Sequence, residues 1–500
     1  MKYFFIFLWV NRLLIHYRQR FYKMYTERME LFKKYLDKSG MEHKDYQYEG
    51  VRWCLNNELR PDPVCNVRGG FIADEMGLGK TIMMIGLCLT NFVANTLIVV
   101  PPVLLDQWYL QIYKTAGHKA LIYHGENKKT ITLDDLKRAK IVITTYGTIS
   151  LTKKQLTAKD VLTLPHQLKW GRIIYDEAHH LRNHKTSLYS SARLLKTNIC
   201  WLVSGTPVQN KKRDLYNLCS ILKLPASFYT DKAKKMELAS SFILKRTKKQ
   251  VGIELPNLNI NNNIVDWTNK KEMELSEEIH SALAFSRVSG AKYTSSPFTA
   301  GVPEGLVLTL MMKAKQSCVL PKLVSIGDGD DYKEAFEHSS KLDFVVKSIL
   351  ERKGNGCGKL IFCNFRKEID EIASRLRLGG MDNVVTFDGR TSHKKRHEIL
   401  SEKCDALVLQ IQTGCEGLNL QENYSEIFFV SPHWNPAVED QAVARCHRIG
   451  QTKPVFIERF EMAKFAKEES QVLDTMSIDN YTTSIQETKR ILANECINPT

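Results

Sequence analysis

Short apolar runs recur along two long stretches of the chain, and each stretch alternates them with segments whose apolar positions have helical spacing. Thr96–Val100 is an unbroken run stopped by Pro101 and Pro102, the pattern of a strand buried on both faces of a parallel sheet. Similar runs occupy Ala120–Tyr123, Ile141–Thr145, Arg172–Tyr175 and Trp201–Val203, and helical spacing fills Tyr46–Trp53, Leu104–Tyr113 and Asp214–Leu222. A second series begins near Ser340, with strands predicted at Lys359–Cys363, Val384–Phe387, Ala406–Ile411 and Ile427–Val430 and helices at Glu368–Leu376 and His393–Leu400. Between the two series the character changes. Lys245-Arg246-Thr-Lys248-Lys249 forms a basic run expected on a helix with Phe242, Ile243 and Leu244, either a solvated face or a contact for a phosphate backbone. Asn257–Asn263 is polar and loop-like, Ser289–Val302 is rich in Gly, Ser and Pro, and Leu306–Cys318 reads as a helix ahead of Pro321. The expectation is an α/β chain with two tandem doubly wound parallel sheets, over 43–228 and 341–465. A mainly helical connecting region spans 229–340, flanked by extensions at 1–42 and 466–500.

The candidate chemistry gathers at predicted strand ends. After Phe71 the chain runs Met76-Gly77-Leu78-Gly79-Lys80-Thr81 into an apolar helix, Ile82–Leu89. A lysine ammonium beside a bare helix N-terminus suits polyphosphate, and the Thr81 hydroxyl can reach Mg2+. Asp74 stands where a Gly-x-x-x-x-Gly-Lys-Thr loop has its first glycine. Asp176 and Glu177 end the strand Arg172–Tyr175, where open α/β sheets bind ligands; Asp176 can hold the metal and Glu177 can activate water. Ser204 and Thr206 end the next strand and suit a sensor of the γ-phosphate. The Gln47 amide offers the donor and acceptor that an adenine edge requires. Gln441, Arg445 and Arg448, spaced four and three apart, would share one helix face with two guanidinium groups suited to an anion. ATP and Mg2+ are thus the expected cofactors, with the second unit completing a site begun in the first.

Composition narrows the partners. Lys plus Arg number 71 against 55 Asp plus Glu, a formal charge of +16, which argues for a polyanion, nucleic acid or an anionic membrane, or else for a generally basic surface. The 12 cysteines include no Cys-x-x-Cys pair, which argues against zinc and a disulfide scaffold and for free thiols in a reducing, intracellular compartment. Tyr3–Val10 is apolar over only eight residues, whereas a membrane span needs about 20. No small-residue cleavage site follows it, so a packed or peripheral helix is expected and integral membrane association is not.

Asp74-Glu-Met-Gly-Leu-Gly-Lys-Thr81, Asp176-Glu-Ala-His179, Ser204-Gly-Thr-Pro-Val-Gln-Asn210 and Trp434-Asn-Pro436 with Gln441 through Gln451 appear in the order seen in the Snf-type ATPases, and the chain resembles that family over roughly residues 43 to 460. These are double-stranded-DNA translocases of helicase superfamily two. The resemblance implies two RecA-like lobes, hydrolysis of ATP to ADP and phosphate, and Lys80, Asp176, Glu177, Arg445 and Arg448 as catalytic residues. It implies nucleotide contacts from Gln47, Met76 to Thr81, Gly417 and Gln441. It also implies DNA contacts from Gln107, Trp108, Thr145, Tyr146, Lys245, Arg246, Thr413 and Trp434. Cys415 and Glu416 depart from the small residues usual there in the family. The expected activity is movement along duplex DNA that remodels protein–DNA complexes. The alternatives are a strand-separating helicase, an ATPase of transcription initiation or termination, or an ATP-gated DNA-binding scaffold. No histone-reading, zinc or nuclease module is visible, which resembles the compact enzymes of large DNA viruses. A protein partner in transcription, repair or genome handling is expected, in a nucleus or, for a viral protein, a cytoplasmic factory or virion.

Overall fold

The computed structural model describes residues 25–157, 162–281, 283, 304–324, 333–392, 395, 396, 398, 399, 402–414, 418–465 and 476–497. Tyr3–Val10, Ser289–Val302, Cys415, Glu416, Gly417 and part of the helix expected at His393–Leu400 lie outside them. The chain forms two compact units, residues 1–253 with 494–500, and residues 254–493.

The first unit is built on seven strands: β1 Arg68–Ile72, β2 Thr96–Val100, β3 Leu121–Tyr123, β4 Ile141–Thr145, β5 Lys169–Asp176, β6 Lys196–Val203 and β7 Ile243–Leu244. Their order is β3-β4-β2-β5-β6-β1-β7 and every pairing is parallel. Parallel strands need crossovers, so helices cover the faces and the central strands have no wet side. All five residues of β2 are accordingly buried. One face packs Ile72, Ile98, Ile143, Ile174 and Trp201 against the helices Asp45–Leu59, Lys80–Thr90 and Leu105–Ala116 and against Met29, Phe32 and Leu36 of a helix over 25–38. Polar groups inside this core are paired. Glu58 accepts from the Arg172 Nε at 2.7 Å and the Trp201 Nε1 at 2.8 Å, with Asn91 on its second oxygen at 2.6 Å.

The second unit carries β8 Leu258–Val265, β9 Gly358–Cys363, β10 Val384–Phe387, β11 Ala406–Gln410, β12 Tyr424–Phe429 and β13 Val455–Met462, in the order β10-β11-β9-β12-β13-β8, again all parallel. Helices Glu304–Val319, Ser340–Glu351 and Arg366–Leu378 contribute to its core. Helix Ile478–Ile497 is anchored by Asp479, whose carboxylate takes the fully buried Lys341 ammonium at 2.5 Å.

Two expectations about the connecting region are corrected. Ile243 and Leu244 are not helical: the helix stops at Phe242 and these two residues pair with Phe71 and Ile72 as the edge strand β7. Asn257–Asn263 is not a loop, because residues 258–265 pair with all of β13. An edge strand needs no alternating apolar face, and Asn261 and Asn263 bond Glu458 at 2.9 and 2.8 Å instead. The boundary between the two units falls at residue 253, within the stretch 229–340.

Candidate nucleotide site and the residues around it

Lys80 and Ser204 lie beyond the C-terminal ends of β1 and β6, Asp176 is the last residue of β5, and β5, β6 and β1 are consecutive in the sheet, so the topology brings the three motifs to one edge. The turn before Lys80 is built on two glycines in the left-handed region, Gly77 at φ +92° and Gly79 at φ +79°. A Cβ on Gly79 would sit 2.4 Å from the Gln47 Nε2, so this glycine is required both by its φ and by the approach of Gln47. Gln47 is buried in the helix Asp45–Leu59 and donates to the Leu78 carbonyl of the loop at 3.2 Å. The helix begins at Lys80, and the Lys80 ammonium donates to the carbonyls of Asp74 and Glu75 at 3.0 and 3.4 Å.

Asp74, the residue in place of a glycine, is fully buried, and its two oxygens accept from the Arg246 Nε at 3.1 Å and Nη2 at 2.5 Å. Arg246 also donates to the Tyr46 carbonyl and lies over the Tyr46 ring. The backbone closes the same joint, with Ala73 and Glu75 donating to the Leu244 and Arg246 carbonyls at 2.7 and 2.9 Å. Arg246 therefore fastens the phosphate loop to the strand edge. The guanidinium of Arg246, a residue expected at DNA, is engaged by Asp74.

Asp176 is buried, and its carboxylate is held from two sides: Oδ1 accepts from the Glu177 amide at 3.0 Å and Oδ2 from the Trp108 indole Nε1 at 2.7 Å. Burial first, and then the adjacent Glu177 charge, push the Asp176 carboxyl up to about 6, against the Trp108 bond and the Lys80 charge that favour ionisation. Glu177 adopts a left-handed conformation at φ +49°. Its Oε2 lies 3.3 Å from the His179 Nδ1, which is also 3.1 Å from the Ser204 hydroxyl. Ser204 in turn accepts from the Thr206 amide at 3.3 Å, so the β5 and β6 motifs are joined by one polar chain. Two clustered acids with a hydroxyl at the helix start are hard oxygen donors suited to Mg2+. A cation there would offset both causes of the raised Asp176 pKa, burial first and the Glu177 charge second. Thr81 and Asp176 offer the donor types a Mg2+ would use, and Lys80 with the loop amides those a phosphate would use.

The remaining DNA candidates separate by burial. Gln107 is exposed. Trp108 is 1 % exposed and bonded to Asp176, so its expected DNA contact is corrected. Thr145 is also interior, with its hydroxyl 3.1 Å from the His124 Nδ1 and 2.9 Å from the Thr148 hydroxyl. Tyr146 is buried and donates to the Asp176 carbonyl at 2.6 Å, which corrects its expected role too. Lys245 and Thr413 are half-buried. Half-buried Trp434 meets Tyr481 edge-on and lies under the Lys315 ammonium.

In the second unit the helix that carries Gln441 is Pro436–Val443, and it ends before the arginines. Arg445 and Arg448 lie in the turns that follow, which corrects their expected place on one helical face with Gln441. Gln441 is buried. Arg448 donates to the Asn419 side chain, and burial, with the neighbouring Arg445 charge, lowers its pKa. That mutual repulsion between two partly desolvated guanidinium groups favours an anion beside them.

Among the described residues no helix is long and apolar enough to cross a membrane. The SNF2-related domain model matches residues 46–323 and the helicase conserved C-terminal domain model matches residues 340–450. The chain is 30% identical over 452 residues to an uncharacterized ATP-dependent helicase of Mycoplasma pneumoniae, covering 84% of this chain and 40% of that relative. It is 26% identical over 445 residues to a probable global transactivator of Orgyia pseudotsugata multicapsid polyhedrosis virus, covering 83% of this chain and 85% of the viral protein. Among solved structures it is similar to the SWI2/SNF2 ATPase core of Sulfolobus solfataricus in complex with dsDNA, at 23% identity and a TM-score of 0.37, covering 84% of this chain and 88% of that one. With two tandem parallel-sheet units, the ATP-binding motifs at the strand ends of the first and a family model that matches more than half of its length, the chain belongs to the SNF2-related family of superfamily-two ATPases.

Proposed function

We propose that the protein hydrolyses ATP and uses the cycle to move along duplex DNA, remodelling protein–DNA complexes. The observation that carries this reading is the gathering of Lys80, Asp176, Glu177 and Ser204 at adjacent strand ends of one sheet in a chain of this family. Bound Mg-ATP supplies the transferable phosphoryl group and the metal charge. Lys80 and the amides from Gly77 to Thr81 would hold phosphate oxygens, and the Thr81 hydroxyl and Asp176 carboxylate would hold the metal. Glu177 orients and deprotonates the attacking water, with His179 fixing its carboxylate. Arg445 and Arg448 are the candidates for compensating charge that develops in the transition state.

The +16 formal charge supports a polyanionic partner, and backbone contacts need no sequence code. A reducing intracellular setting, nuclear or in a viral factory, is part of this proposal. The test is the magnesium-dependent ATPase rate of wild type and Lys80→Ala, alone and with duplex DNA, single-stranded DNA or RNA. Stimulation by duplex DNA that is lost in Lys80→Ala is expected. A preference for single strands or RNA would replace this reading with a helicase or transcription ATPase, and indifference to nucleic acid would overturn it.

A further inference from the structure

Two aromatic side chains from outside β5 converge on residue 176. The Trp108 indole is a single, rigid donor, and its one polar atom meets the Asp176 Oδ2 at 2.7 Å in a core that leaves the side chain 1 % exposed. The Tyr146 hydroxyl meets the carbonyl of the same residue at 2.6 Å, with its ring stacked on Tyr175 at 6.4 Å and tilted against His180 at 5.1 Å. Side chain and backbone of Asp176 are thus fixed independently.

The origin of these two residues gives the arrangement a function. Trp108 lies in the helix Leu105–Ala116, reached from β2 through Pro101–Leu104, and its sequence neighbour Gln107 is exposed. Tyr146 opens the short helix Tyr146–Ile149 directly after β4, and its neighbour Gly147 is exposed. Each connection turns one aromatic inward onto Asp176 and the adjacent residue outward. A fixed donor on one carboxylate oxygen and a backbone amide on the other leave only certain lone-pair directions for a cation, and any rotation of either connection moves them.

We propose that Trp108 and Tyr146 are positioning residues for Asp176 as a metal ligand, and that nucleic acid meeting the exposed sides of the two connections, at Gln107 and Gly147, would be reported through them to the metal. The second half of the proposal rests on the translocase reading above; the first half does not.

The test uses the full chain with Mn2+ as the metal probe. Binding of Mn2+ to the ADP complex is followed by electron paramagnetic resonance, ADP binding is measured in EDTA, and thermal melting is recorded for each variant. Loss of a bond to a charged acceptor is expected to weaken Mn2+ binding about tenfold or more in Trp108→Phe. Loss of the neutral bond in Tyr146→Phe is expected to weaken it about threefold. Metal-free ADP affinity should stay within about twofold in both, a separation that general loosening of the fold would not produce. Duplex DNA is expected to tighten Mn2+ binding in wild type and to do so less in either variant. A folded Trp108→Phe with wild-type Mn2+ affinity overturns the proposal. If that variant does not fold, unchanged Mn2+ affinity in Tyr146→Phe overturns it instead. Wild type whose hydrolysis ignores DNA sinks the translocase reading and the coupling, while the Mn2+ result without DNA still decides the positioning role.

Discussion

Arg246→Gln should destabilise the phosphate loop out of proportion to the size of the change. The Asp74 carboxylate is fully buried and both of its oxygens are taken by one guanidinium, so shortening Arg246 leaves an unpaired charge in the core. Removing one partner of a buried pair costs about 3–5 kcal/mol, whereas removing both charges is often close to neutral. The Asp74→Asn/Arg246→Gln double variant should therefore recover most of the loss, with a coupling energy of about 2 kcal/mol or more. Urea titration followed by hydrogen exchange on the 71–81 segment reports the local free energy, and calorimetry reports ADP affinity, which should fall in the single variant and return in the double. A double variant no more stable than Arg246→Gln would show that the pair is not the restraint inferred here.

Arg448→Ala should lower kcat by about a hundredfold or more with little change in the KM for ATP, since an arginine that compensates transition-state charge acts on the chemical step. An unchanged kcat in single-turnover measurements would exclude the role. His280 accepts the Ile478 amide on Nε2 at 3.0 Å and faces the Ser276 carbonyl through Nδ1 at 2.7 Å, and burial pushes it from 6.5 down to about 4. The unfolded chain binds this proton at higher pH than the folded one, so stability is full above about 6.5 and falls as pH drops toward 4. The loss from this residue is up to about 3 kcal/mol. His280→Gln should flatten the acid limb of urea unfolding between pH 4.5 and 7.5, as far as His433, also pushed down to about 4, allows; an identical acid limb would refute the assignment.

The central strands were legible because burial on both faces writes itself into the chain as an apolar run, as in Thr96–Val100 and Lys359–Cys363. Strands at the sheet edges carry no such signal. β8 reads as polar because its asparagines answer Glu458, and β7 is only two residues long. The phosphate-loop and Asp176 motifs were legible because backbone conformation and metal chemistry restrict residue type locally. The Asp74–Arg246 clamp and the Trp108–Asp176 bond were not, since each joins residues distant in the chain. The one hint was an acid standing where a glycine belongs. Spacing puts the two arginines of the second unit on one helix and misses its end at Val443, because the residues beyond carry no proline or glycine before Gly450.

The outer strand of the second sheet has a consequence for how the protein tolerates change. Leu258, Ile260 and Ile264 stand exposed along one side of β8, and Asn262 interrupts them. Free strand edges recruit other chains when a continuous greasy row is on offer, and a single amide in the row denies them that template. Position 262 is thus constrained by colloidal behaviour in a crowded cell: drift to valine or isoleucine would leave the ATP-binding motifs intact and still remove active protein from solution.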